Sequence, residues 1–425
     1  MRILIATDAF PPHCGGSGWS TYELARGLRR RGHELLVVQP RPGQASSGTR
    51  DYDGFRVEEM ASAVPPVPFL RNLFKNEWLW PRLAVRIREA ARAFGADIIH
   101  AQHVLTAPAA VKAGEALGLP VVCTVRDYWP VCYWATLIHD PRSATLCPAC
   151  SAGMMMRCLR PRARAWWPAA VPFLWYVVPY MRSNLWRKQH WLARADAIVA
   201  VSSTIARDLA ERSHLLRPAR IEVVPNPVDI AGLRAAVVGT TAPIGVPYAV
   251  FVGKLEVNKG AAFLLPAVER ARLPWPLVVV GDGALRTQME AEARRLGRDV
   301  RFTGWLARDE ALAWLAHASV LVFPSYGPES LSRVLLESAA LGVPMAAMNT
   351  GGTIDIVRHE QTGLLSSTPD ELGDHVARLV ADRALGARLA DEARTDVEQH
   401  FEAASVVARV EALYAELING GRAHA

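Results

Sequence analysis

The sequence predicts an α/β protein built from two doubly wound parallel-sheet domains, and three observations carry that expectation. Short apolar runs alternate with stretches of helical period through the first half: RILIATD, HELLVVQP, ADIIHAQ, PVVCTVRD, ADAIVAVS and IEVVPNP. The second half repeats the scheme with YAVFVGK, PLVVVGDG, VRFTGWL, SVLVFPS and PMAAMNT. Between them, residues 225–247 are rich in Gly, Pro and Ala without a strong period and read as a linker. Strands that are apolar throughout and separated by helices belong to parallel sheets covered on both faces. The first such helix is STYELARGLRRRG (20–32), where Leu24, Ala25 and Leu28 recur at helical spacing. A chain of 425 residues, half of them hydrophobic, is long enough for two such cores. The expected boundaries are 1–228 and 229–401. An insertion interrupts the first domain at about 128–190, and an amphipathic helix at 402–425 returns to that domain. Ligands of such sheets bind at the carboxyl ends of the strands.

The start, MRILIATDAFPP, reads as a first strand and not as a signal peptide, which implies a cytoplasmic location. There, six cysteines are expected as free thiols or metal ligands, not disulfides. The most apolar run, WWPAAVPFLWYVVPYM (166–181), is short and broken by three prolines, so it is no ordinary membrane span. A net charge of +7 spread along the chain does not point to nucleic acid. Two segments are both basic and aromatic, 66–88 and 160–191. Such mixtures suit a membrane surface, with the protein peripheral on the inner face of the cell membrane. The alternative is a helical hairpin whose aromatics pack inward.

Three motifs point to chemistry. Strand one runs into PPHCGGSGWSTYELA, where Gly15 and Gly16 precede a helix start. Such a loop lets backbone amides approach a phosphate, although a glycine turn here is also ordinary geometry. In FVGKLEVNKGAAFLL, Lys254 and Lys259 flank a turn at a strand end, suited to a diphosphate if they are not simply exposed loop lysines. In PSYGPESLSRVLLES two glutamates stand in a nearly uncharged run. Glu329 falls in the loop before a helix expected to begin around Ser330–Ser332, and Glu337 comes two turns into it. A buried carboxylate is costly unless hydrogen-bonded. A ribose diol would satisfy Glu337, and so would backbone.

The run P-S-x-x-x-E-x7-E, followed by ALGVPM, TGGTIDIV and TGLL, resembles the signature of family 4 glycosyltransferases. These are retaining enzymes of GT-B architecture, with two Rossmann-like domains facing across a cleft. The similarity takes in nearly the whole chain, including ADIIHAQH, VVPNPVD, VVVGDG and VRFTGW. It implies that Glu337 holds the ribose of a nucleotide-diphosphate sugar and that Glu329 contacts the donor sugar. Lys254 and Lys259 would clamp the diphosphate, the first being more often Arg in the family. Gly15 and Gly16 would approach phosphates or acceptor, Leu331 and Ser332 would add backbone amides, and Gly304 and Trp305 would line the base pocket. No divalent metal is needed in the family. Retention implies front-face attack, with the leaving phosphate taking the acceptor's proton, or double displacement through Glu329.

The chain departs from the family in two places. Many relatives carry His-Asp after the strand PVVCTVRD, and here Arg126 precedes Asp127. Arg126 would read an acidic group on donor or acceptor, or serve as scaffold paired to a carboxylate. Beyond it, Cys132, Cys147, Cys150 and Cys158 would hold structural zinc if they converge, and are otherwise free thiols. His100 and His103 are acceptor-site or structural histidines. The function expected is transfer of a sugar to a carbohydrate, polysaccharide-precursor or lipid-linked acceptor. A non-catalytic nucleotide-sugar-binding protein or a nucleotide-sugar epimerase would be alternatives on the same fold.

Overall fold

The computed structural model describes residues 1–44, 46–65, 70, 73–103, 105–140, 146–163, 168 and 171–422. The chain divides into two units. The first comprises Met1–Thr136, Pro148–Pro227 and Ala403–Ala425, the second Leu137–Cys147 and Val228–Glu402.

The first unit runs β1 (Arg2–Ala6), α1 (Gly16–Arg30), β2 (Glu34–Pro42), β3 (Gly48–Tyr52), β4 (Phe55–Ser62), α2 (Leu79–Phe94), β5 (Ile98–Ala101), α3 (Ala107–Leu117), β6 (Val121–Val125), α4 (Ala152–Ala163), α5 (Leu174–Leu192), β7 (Ala197–Ala200), α6 (Ser203–Arg212) and β8 (Ile221–Val223). The strand order is β3-β4-β2-β1-β5-β6-β7-β8, parallel except for the β3–β4 hairpin. Ile3 lies opposite Leu35 on one side and Ile98 on the other, so the central strand is buried on both flanks and both faces.

The second unit runs α7 (Ile230–Val237), β9 (Ala249–Val252), α8 (Ala261–Arg270), β10 (Leu277–Val280), α9 (Arg286–Leu296), β11 (Val300–Gly304), α10 (Arg308–Ala316), β12 (Val320–Phe323), α11 (Arg333–Leu341), β13 (Met345–Met348), β14 (Leu364–Ser366), α12 (Pro369–Ala381) and α13 (Arg383–His400). Its sheet is parallel, in the order β11-β10-β9-β12-β13-β14. The last helix, α14 (Ala403–Arg422), belongs to the first unit, where Val406, Val410 and Tyr414 join Ile3, Leu24 and Leu28 in one core.

In both sheets the chain reverses its direction of winding at the centre, between β1 and β5 in the first and between β9 and β12 in the second. A crevice opens beyond the carboxyl ends of the strands at each such switch point. The residues of interest lie there.

Several expectations change. The linker contains a short helix: Asp229 caps α7, its carboxylate accepting from the Gly232 amide at 2.9 Å, and Ile230 and Leu233 are buried. The insertion is not one piece. Residues 137–147 group with the second unit, whereas α4 and α5 form a small core in the first, from Tyr133, Met155, Val178, Met181 and Leu185. The zinc expectation finds no support. Among the described residues no three His, Cys, Asp or Glu side chains stand close enough to hold an ion, and none of the six cysteines is in a disulfide. Cys132 and Cys150 share a hydrogen bond, and that bond and burial push the Cys150 thiol up. Cys147 falls in the other unit. Of the two aromatic-basic segments, 66–69, 71–72, 164–167 and 169–170 lie outside the described residues.

Candidate active site

The second unit gathers its candidates around the switch point. β9 ends at Gly253-Lys254, and a 3-10 turn, Val257–Lys259, leads into α8. β12 ends at Phe323 and opens the loop carrying Glu329. Parallel neighbours place these two loops side by side. Lys259 Nζ stands 2.6 Å from Glu329 Oε1, and Ser325 Oγ donates to the same oxygen at 2.5 Å. Glu329 is buried, so its charge is compensated by an ammonium and a hydroxyl. The loop after β13 closes on it: the Gly352 amide donates to the Glu329 carbonyl at 2.7 Å. Gly351, at φ +52°, lies so near that an added Cβ would stand 2.1 Å from that carbonyl oxygen. The TGG run of the sequence is therefore a packing requirement of the Glu329 loop.

Just beyond Glu329, Leu331 and Ser332 lead into α11. Ser332 is the N-cap residue but its hydroxyl makes no capping bond. One turn further, Glu337 Oε1 accepts from Arg333 Nε at 3.0 Å, with Arg308 3.7 Å away. Among the described residues the carboxylate is held by arginines and not by main-chain amides. Lys254 is exposed, with its side chain at the carboxyl end of β9. Gly304 ends β11, two strands away in the sheet, and Trp305 after it is 73% exposed.

In the first unit, Gly15 is the N-cap of α1 and Gly16 its first residue, again without a side-chain cap. An added Cβ at Gly15 would meet nothing within 4 Å. Across the same sheet end, His103 from the loop after β5 stands 3.3 Å from Asp8 Oδ2 through Nδ1 and 3.3 Å from Asp127 Oδ2 through Nε2. Burial opposes a charge on this imidazole, but the two carboxylates prevail and raise it to about 9. Burial likewise raises Asp127, yet its bond to His103 outweighs that and holds the carboxyl below its usual range. The imidazole and the Asp127 carboxyl are thus both charged at neutral pH. Asp8 Oδ1 is buried and accepts no hydrogen bond among the described residues.

Arg126 turns the other way. Its Nε donates to Asn226 Oδ1 at 2.9 Å, its Nη2 to Gln102 Oε1 at 2.6 Å, and its Nη1 to the Gln102 carbonyl. The guanidinium is buried among amide oxygens, an arrangement that accords with the scaffold alternative. His100 is structural too. It contacts the Tyr414 hydroxyl and Thr124 Oγ1 (2.7 Å), and burial, aided by Arg126, keeps its ring neutral.

Sequence reasoning missed Asp8 and Lys188. Asp8 follows the first strand as RILIATD, a signal of position alone. Lys188, on α5, is fully buried with Nζ 4.0 Å from the Trp129 ring and no hydrogen bond among the described residues.

Two units of this kind, each with its charged groups at a switch point, define a GT-B protein of the glycosyl-transfer class. Residues 14–231 match the family described as Glycosyltransferase Family 4, and residues 246–382 match Glycosyl transferases group 1. The chain belongs to the family 4 glycosyltransferases and is an enzyme of that class. It is similar to a glycogen synthase of Mycobacterium tuberculosis, 26% identical over 99% of this chain and 96% of that one. It is also similar to a GDP-mannose-dependent alpha-mannosyltransferase of Mycolicibacterium smegmatis, 29% identical over 95% and 97%. Among solved structures, Anabaena HepE in complex with UDP superposes with a TM-score of 0.66 at 19% identity, covering 98% of this chain and all of the other.

Proposed function

We propose that the chain is a retaining transferase that moves a sugar from a nucleotide-diphosphate sugar to a carbohydrate or lipid-linked acceptor at a membrane surface. The second unit serves as the donor domain and the first as the acceptor domain. The observation that carries this reading is the Lys259–Glu329 pair at the switch point of the second sheet. In this reading Lys254 and Lys259 face the diphosphate, and the backbone of Leu331 and Ser332 at the start of α11 adds donors where the helix dipole favours an anion. Glu337, held by Arg333, takes the ribose hydroxyls, and Gly304 and Trp305 offer a surface to the base. Gly15 and Gly16 leave open backbone for a phosphate or an acceptor.

Cleavage of the bond between the anomeric carbon and the phosphate oxygen sends an electron pair to the diphosphate and leaves positive charge on the sugar. The lysines and amides stabilise the first, and the Glu329 carboxylate, through Oε2, stabilises the second. The acceptor hydroxyl attacks from the same face, and its proton passes to the departing phosphate oxygen. Asp8, His103 and Asp127 orient the acceptor, the unpartnered Asp8 Oδ1 accepting from one of its hydroxyls. Arg126 positions the strand ends and touches neither substrate.

UDP-, GDP- and ADP-sugars are screened by thermal shift, because a donor raises apparent stability by mass action. The stabilising one is then tested for transfer. One donor class is expected to raise the Tm, with transfer lost by roughly a hundredfold or more in Glu329→Gln and the product retaining the donor's anomeric configuration. No shift with any nucleotide sugar, or an inverted product, would overturn the reading. A shift without transfer or hydrolysis would favour a binding protein.

A further inference from the structure

Four exposed aromatic residues of the first unit lie along α5 and the turn that leads into it. Phe173 is 62% exposed, Trp175 85%, Tyr176 77% and Trp186, three turns along α5, 51%. At 3.6 residues per turn, Trp175, Arg182 and Trp186 share one strip of α5. A neighbouring strip about a quarter turn away, with Val178, Met181 and Leu185, fills the small core. The outer aromatics are therefore not needed to fold the helix. From residue 141 to 195 the sequence contains no Asp or Glu and nine Arg and Lys.

A carboxylate does approach from outside that stretch, but its charge is taken up. Asn184 Nδ2 donates to Glu77 Oε1 at 3.0 Å, and Arg187 binds the same oxygen. The next residue, Trp78, is half-exposed, so the two aromatic-basic segments of the sequence meet along α5. Among the described residues no helix is long and apolar enough to cross a membrane.

We propose that this face of α5, with Phe173, Trp175, Tyr176 and Trp186, docks on an anionic lipid bilayer. Indole and phenol rings settle at the headgroup level, and the acid-free basic stretch supplies the attraction to anionic lipid. A second copy of the chain fits the face poorly, since a two-fold contact would set one basic patch against its twin. The inference deepens the lipid-linked-acceptor reading above, and its test does not depend on transfer.

The full chain is floated with vesicles of phosphatidylcholine alone and of phosphatidylcholine mixed with phosphatidylglycerol, at low and high salt. Flotation is expected with the mixed vesicles, weakened by salt, with a blue shift of tryptophan emission. Trp175→Ser with Tyr176→Ser should lower partitioning roughly tenfold or more, and Arg157→Glu with Arg182→Glu should do the same. All these variants should keep the donor-induced thermal shift. The proposal is overturned by no flotation with anionic vesicles, by equal binding to neutral ones, or by variants that bind like the parent. It also falls if the chain sediments as a dimer that the aromatic substitutions dissolve. Flotation without transfer to a lipid-linked acceptor removes only the acceptor reading; transfer without flotation removes only the docking.

Discussion

His103 Nε2 lies 3.3 Å from Asp127 Oδ2, although the two residues follow different strands. A histidine–aspartate contact thus links the loops after β5 and β6, with Arg126 next to Asp127 in the sequence. Asp8 on the ring's other nitrogen makes the arrangement carboxylate–imidazolium–carboxylate.

A pH dependence follows. The folded ring holds its proton to about 9 against an ordinary 6.5. Its stabilisation is therefore complete below about pH 6.5 and is lost as pH rises through 9. His103→Gln should lower stability by about 2 kcal/mol near neutrality, and the difference from the parent should shrink toward alkaline pH. Denaturant melts across that range test this. A difference that grows with pH would contradict the imidazolium.

Lys188 carries the opposite sign. Burial, only partly offset by Asp127, lowers its ammonium to about 7. Between there and the ordinary 10.5 the unfolded chain binds the extra proton, so this residue favours folding more as pH rises through that window. Cation–π contact with Trp129 and Tyr133 (5.2 Å) recovers part of the cost. Lys188→Met should stabilise the protein by about 1–3 kcal/mol at about pH 6, with the gain fading above pH 7. Destabilisation at low pH would show that the charge has a partner.

The strands that place these groups were legible because parallel strands buried on both faces read as unbroken apolar runs. The β3–β4 hairpin was not, since Arg50, Asp51, Glu58 and Glu59 hide the alternation in a sheet-edge sequence. Its turn did carry a signal, for Asp53 and Gly54 both take positive φ (52° and 73°), as a two-residue type I′ turn requires. Glu329 was legible as a costly buried charge. Its pairing with Lys259, seventy residues away, was not, and neither was Glu77 joining two aromatic segments. Such contacts depend on strand order, which local patterns do not encode.

The Lys259–Glu329 pair should behave as one unit. Lys259→Met leaves a buried carboxylate with the Ser325 hydroxyl as its partner among the described residues, whereas Lys259→Met with Glu329→Gln removes both charges. Lys259 is partly exposed, so solvent screening limits the coupling to about 1–2 kcal/mol. The double variant should be more stable than Lys259→Met alone. Simple additivity in a double-mutant cycle would mean the pair contributes nothing.

Gly351 tests whether backbone packing sets that geometry. Ala at this site would bring Cβ to 2.1 Å from the Glu329 carbonyl oxygen at a φ of +52°, so the loop must shift. We expect a loss of about 3 kcal/mol and a weaker donor thermal shift. An unchanged shift in Gly351→Ala would separate the TGG run from the position of Glu329.

Arg126 gives the sharpest contrast between substrate recognition and scaffold. Its three nitrogens meet Asn226 Oδ1, Gln102 Oε1 and the Gln102 carbonyl, which join the loops after β5, β6 and β8. Lysine has one nitrogen and cannot reach three acceptors in a plane, so Arg126→Lys strands at least one buried oxygen at a cost of about 1–3 kcal/mol. Arg126→His should cost at least as much, even though it restores the family's residue. Neither should reorder the preference among nucleotide sugars, because each nitrogen of the guanidinium already donates to an amide oxygen of the protein. Denaturant midpoints and a thermal-shift ranking on the same samples distinguish the two roles. A folded Arg126→His protein with parental stability but a new preferred donor would return this residue to the substrate.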